Sequence, residues 1–114
     1  MLRYQDVEQI LELNGLVKWK DFKVVYAFHT YGKDEIQIEA DSLITIGSDG
    51  IMRIGDNQCS VPEWFSYEKD DAYDNDGNLI VSSAFLDMFW KFRPALIEIC
   101  EAFGVYDRNR SYTF

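Results

Sequence analysis

The sequence predicts an α+β fold, an antiparallel β-meander of three to five strands covered by a long C-terminal helix, with a short helix at the N-terminus. Three observations predict it. Apolar residues recur at helical spacing over 83–103, residues 35–41 alternate strictly, and short β-rich runs between 22 and 54 are separated by turn residues.

At the N-terminus, Tyr4, Val7, Ile10 and Leu11 share one helical face over residues 4–14, with Asp6 at the positive end of the dipole and Gly15 after Asn14 as a C-cap. Residues 22–30 (FKVVYAFHT) are β-rich and lead into a turn at Tyr31-Gly32-Lys33-Asp34. Over 35–41, Ile36, Ile38 and Ala40 face one way and Glu35, Gln37, Glu39 and Asp41 the other, as in a half-buried strand. Residues 43–47 (LITIG) form the next strand, where Gly47 marks either a bulge or the strand end. Ser48-Asp49-Gly50 turns into 51–54 (IMRI). Successive strands with short turns imply antiparallel neighbours.

Periodicity disappears from Gly55 to Asn78, a stretch holding Pro62, Trp64, Phe65, Tyr67 and a run of acids. Structureless loops of that length are uncommon in compact domains unless functional or disordered. Leu79 to Val81 suggest a short strand after the Asp76-Gly77 turn. Phe85, Phe89, Phe92, Leu96, Ile99 and Phe103 then follow at steps of three and four, spanning roughly 80° of a helical wheel. Ser82 or Ser83 caps its start and Gly104 its end. Pro94 lies on the polar side; one kinked helix is favoured over two because the stripe keeps its phase across it. Leu86, Trp90 and Ile97 form a second apolar flank, either core or interface. Tyr106, Tyr112 and Phe114 in the tail can pack back on the domain.

With 114 residues the chain is expected to be a single domain, 1–114, long enough to hide roughly two thirds of its extended surface. The net charge is −9 and unevenly spread. Residues 34–87 carry thirteen acids against Arg53 and Lys69, whereas the remainder is slightly basic. Such a balance argues against direct binding of nucleic acid or an anionic membrane and suits a basic protein partner. No run of about 18 uncharged apolar residues exists. Cys59 and Cys100 are too few for a disulfide scaffold, and residues 1–12 carry acids without an apolar run; both point to a cytoplasmic protein with reduced thiols.

Catalytic signatures are missing. The single histidine, His29, reads as structural, no CxxC spacing supports a metal site, and no glycine-rich phosphate loop occurs. The chain is therefore expected not to be an enzyme and to need no cofactor. Its most specific feature is acid placement. Glu35, Glu39 and Asp41 on one strand face, with alternate residues about 6.8 Å apart, approach the phosphate spacing of a nucleic-acid strand. Asp70, Asp71, Asp74 and Asp76 add a second cluster beside Trp64, Phe65 and Tyr67. The expected function is an acidic binding or inhibitory protein for a basic partner such as a nuclease or another nucleic-acid-handling protein, in the manner of an immunity protein or a nucleic-acid mimic. The alternative is a small structural or assembly protein using Leu86, Trp90 and Ile97.

Calcium fits poorly. With Gly77 at position six of an EF-hand loop, Ala72 and Ser83 occupy positions that need an acid and the bidentate glutamate. A looser site through Asp71, Asp74 and Asp76 is the remaining calcium reading. Calorimetric titration with calcium should show no stoichiometric site tighter than about 10 μM; finding one would reinstate Asp74 and Asp76 as ligands.

Overall fold

The computed structural model describes residues 2–30 and 33–113, and the side chains of 26–30 and 33 are outside that description. Element order is α1 (Tyr4–Leu13), β1 (Lys23–Thr30), β2 (Lys33–Glu39), β3 (Leu43–Gly47), β4 (Ile51–Ile54), β5 (Asn57–Ser60), α2 (Val61–Ser66), a 3₁₀ turn at Lys69–Ala72, and α3 (Ser83–Ala102). The expected α+β architecture is present. The five strands form one antiparallel sheet in sequence order, β1-β2-β3-β4-β5.

Cross-strand register explains the core. Val24, Ile38, Ile44 and Ile54 stand opposite one another in turn, and Ile36, Ile46, Met52 and Cys59 make a parallel row. Because side chains alternate, both rows lie on one face. All but Cys59 are almost fully buried and join one cluster with Val7 and Leu11 of α1 and Phe89, Phe92, Leu96 and Ile99 of α3. The opposite face is polar along its centre, where Gln37, Thr45, Arg53 and Gln58 follow in register. There the Arg53 guanidinium donates to Gln58 Oε1 at 2.8 Å.

The helices α1 and α3 end in the same way. Gly15 (φ +84°) donates to the Glu12 carbonyl and Leu16 to Leu11; Gly104 (φ +82°) donates to Glu101 and Val105 to Cys100. That paired pattern needs a left-handed residue, which glycine supplies without a Cβ clash. At the other end of α3, Ser82 Oγ accepts from Phe85 N at 3.1 Å. The helix passes through Pro94, whose ring is exposed, as one element. Its buried face is wider than the expected stripe: Met88, Ala95 and Cys100 are buried too, while Phe85 and Phe103 at the two ends are half-buried.

Three expectations are corrected. The region 55–78 is not structureless but holds β5, α2 and the 3₁₀ turn. β5 (NQCS) is polar and shows no apolar alternation, and six residues of α2 are too few to display a period. Residues 79–81 do not form a strand: Leu79 makes a single bridge to Tyr73, and Ile80 N donates to the Ala72 carbonyl. Asp41 lies beyond β2, in the bend where Ala40 N donates to Ser42 O. Gly47 ends its strand, and the register irregularity falls instead at Val24/Tyr26. In the tail, Tyr106 meets Phe65 edge-on at 4.9 Å and stacks with Tyr112 at 5.6 Å. Tyr31, Gly32 and Phe114 lie outside the described residues, as does the His29 side chain.

Phe92, 2% exposed, lies in the cluster that joins α3 to the sheet. Its replacement by Ala should destabilise the fold by about 3–5 kcal/mol in denaturant unfolding; a loss below about 1 kcal/mol would contradict that packing.

Candidate functional site

Two of the aromatic residues expected at a partner surface belong to the core. Trp64 (6% exposed) and Phe65 (5%) are buried by α2, which the Ser60 side chain caps by accepting from Glu63 N. The Trp64 indole donates to the Met52 carbonyl at 2.7 Å, so its polar atom is satisfied inside. Tyr67, just past the end of α2, remains exposed. A spacing of S-x-x-E with proline in the first turn was the available signal for this helix.

Trp64 forms the floor of a groove of about 350 Å³ between β5, the 3₁₀ turn, residues 80–81 and the first half of α3. Its ring lies 6.2 Å from Tyr67, 6.3 Å from Phe85 and 5.6 Å from Phe89. Ile80, Leu86 and Trp90 complete the apolar wall, and Glu68 and Asp71 stand on its margin. The groove thus brings together Tyr67 and Asp71 from the acidic segment and Leu86 and Trp90 from the second flank of α3. Ile97 is half-buried against the core and does not line it. Trp90 carries two cations, Lys69 Nζ at 5.5 Å and Arg93 Cζ at 5.1 Å from its ring.

The acidic segment is ordered by its own carboxylates. Asp71 Oδ2 accepts from Glu68 N at 2.8 Å, capping the 3₁₀ turn. Asp74 Oδ1 accepts from Asp76 N at 2.9 Å and Asn78 N at 2.8 Å, folding the turn that Gly77 (φ +81°) completes. Asp70, Asp71, Asp74 and Asp76 are all exposed. Among the described residues no group of three or more His, Cys, Asp or Glu is arranged to hold a metal ion.

The acids of β2 are a separate matter. Glu35 accepts from Gln37 Nε2 at 2.7 Å, and Glu39 faces Lys23 in register. Glu35 and Glu39 are four residues apart, about 13 Å along the strand. Asp41 instead borders a second cavity of about 250 Å³ with Ser42, Asp56 and Met88. A row of three acids at phosphate spacing is therefore not formed, because the strand ends before Asp41. Among the described residues no helix is long and apolar enough to cross a membrane.

Both thiols are free. Burial, helped by the charge of Glu63, pushes the Cys59 thiol up to about 11. Burial raises Cys100, which is fully enclosed, further still. The Tyr67 hydroxyl, above the same groove, is also raised, first by burial and then by neighbouring Cys59, Glu63 and Asp71. A free cysteine ionises near 8.5, so at neutral pH Cys59 should react with iodoacetamide on the order of a hundredfold more slowly. Its rate should climb about tenfold per pH unit towards its own titration. Mass spectrometry of the alkylated protein checks this, and reaction at the free-cysteine rate would show an activated thiol.

Comparison with known proteins finds no matching family model, no matching curated protein and no matching solved structure.

Proposed function

We propose that the protein is an acidic binding or inhibitory protein for a basic protein partner, and that the groove above Trp64 is its contact site. The partner inserts an apolar side chain between Tyr67, Leu86 and Trp90, and its flanking cations meet Glu68, Asp71 and the neighbouring Asp70, Asp74 and Asp76. One observation carries this reading: the strongest local concentration of acids borders the larger apolar groove. Buried aromatic contact supplies affinity in such interfaces, and exposed carboxylates supply steering and choice of partner. A nuclease or another nucleic-acid-handling protein suits the site, since its own working surface is basic. The protein acts here by occupancy, without catalysis.

The test neutralises Asp70, Asp71, Asp74 and Asp76 to Asn. Asn keeps the oxygen that accepts the turn hydrogen bonds of Asp71 and Asp74. Unfolding free energy should thus stay within about 1 kcal/mol of the parent. Proteins captured from the source cell by the parent at low salt should be lost at high salt and by the variant. With the captured partner purified, its association rate should fall at least about tenfold and lose most of its salt dependence. An unchanged rate would remove the acids from the site.

A further inference from the structure

On another part of the surface the chain presents a feature that its own stability does not explain. Trp19 is 70% exposed and is the one described residue other than glycine with a positive φ, +71°. A side chain in that region strains the backbone. Burial does not return that energy, because most of the indole faces solvent.

The loop around it is held firmly. Trp19 N donates to the Phe22 carbonyl at 2.8 Å, and Asp21 N donates to the Val17 carbonyl at 2.7 Å. The Asp21 carboxylate accepts from Val17 N at 2.7 Å and pairs with Lys91 Nζ of α3 at 2.6 Å. Phe22 is buried beneath. The indole is therefore presented outward from an anchored loop, with little left to order on binding.

Lysines frame it. Lys18 Nζ, which pairs with Glu8 at 2.7 Å, lies 5.3 Å from the Trp19 ring. Lys23, opposite Glu39 in register, holds its Nζ 5.5 Å from the same ring, and Lys20 follows Trp19 in sequence, exposed. Val17, also exposed, extends the apolar surface. An aromatic ring framed by lysines complements the side of the groove above Trp64 that Glu68 and Asp71 edge, away from the Lys69 and Arg93 cations on the Trp90 ring. The acidic stretch from Tyr67 to Asp76 holds five acids against Lys69. A volume of about 350 Å³ is near the lower bound of small-ligand pockets, roughly 300–1,000 Å³, and suits a single large side chain.

We propose that the occupant of the groove, in the absence of another partner, is Trp19 of a second copy of this chain. The indole enters between Tyr67, Ile80, Leu86 and Trp90, while Lys20 approaches Glu68 and Asp71. Donor loop and acceptor groove are different patches, so each copy offers one of each. The contact either closes reciprocally into a dimer or continues head to tail. It rests on the groove of the reading above and competes with the basic partner for it.

Sedimentation velocity of the purified chain over a range of concentrations, at low and high ionic strength, tests this. The wild type should associate with rising concentration, and salt should weaken the association. Trp19→Gly fits the left-handed backbone without strain and removes the ring; Ile80→Lys places a cation in the groove at an exposed position. Each variant should associate at least about tenfold more weakly, as for loss of a central aromatic anchor. Circular dichroism should show both folded as wild type. Mixed together, the two variants should form a heterodimer, since one keeps the groove and the other keeps the ring. A wild type that stays monomeric, a Trp19→Gly variant that associates unchanged, or a mixture without heterodimer would each overturn the proposal. Partner capture by the Trp19→Gly variant reads the basic-partner site separately, since that variant leaves the groove and its acids intact.

Discussion

The hydrogen bond from the Trp64 indole to the Met52 carbonyl is the constraint around which the groove side of the molecule is arranged. It ties α2 to β4 and settles the only polar atom of a large ring that is otherwise enclosed by apolar neighbours. An unpaired indole N–H there would cost about 1–3 kcal/mol, so ring position and strand position are fixed together. With Trp64 so placed, Phe85 and Phe89 of α3 pack against one side of it and Tyr67 against another. The groove is what remains open above these rings once the core below them has closed. Its floor therefore belongs to the hydrophobic core, and its shape inherits the rigidity of close packing.

Charge serves two purposes on this framework. Part of it is structural at short range: Asp71 and Asp74 satisfy backbone amides of their own loop, and Asp21 staples the Trp19 loop to α3 through Lys91. Partnership with Lys91 and the Val17 amide lowers the Asp21 carboxyl from its ordinary range. Its contribution is thus present above the usual carboxylate titration and fades as pH falls through the lowered value. Exposed acids such as Asp70 and Asp76 do little for stability singly, but their sum sets the field around the groove. The two roles coexist because an Asp oxygen that accepts an amide proton keeps its charge.

The polarity of the molecule also has a simple origin in the meander. One sheet face is consumed by the aliphatic rows and α3, and the other is polar along its centre, where Gln37, Thr45, Arg53 and Gln58 follow in register. Among the described side chains, the most exposed aromatics lie in the connections: Trp19 before the sheet, and Tyr67 and Tyr73 after it. Loops positioned by a rigid scaffold are the usual place for recognition, since they can vary without disturbing strand register.

How far the sequence carried each of these features depended on the range of the interaction behind it. Strict alternation at Ile36 and Ile38, the tight turn at Gly50 and the three-four spacing of α3 are local consequences of backbone period, and each was legible without a structure. Both helix ends were legible too, because glycine at positions 15 and 104 meets a backbone need that few other residues meet. By contrast, β5 carries polar residues that become a strand only because β4 offers it hydrogen bonds. Trp64 and Phe65 looked like surface aromatics because a six-residue helix has no period, and only the sheet and α3 closing over them decided otherwise. Asp41 was separated from Glu39 by the chain turning one residue beyond the strand, a choice made by the Ala40–Ser42 hydrogen bond. Composition by itself determined that the acids crowd residues 34–87. Their division between a β2 face and a groove margin, and the meeting of Tyr67 and Asp71 with Leu86 and Trp90, were decided by tertiary packing, because residues distant in sequence become neighbours only when one core buries them together.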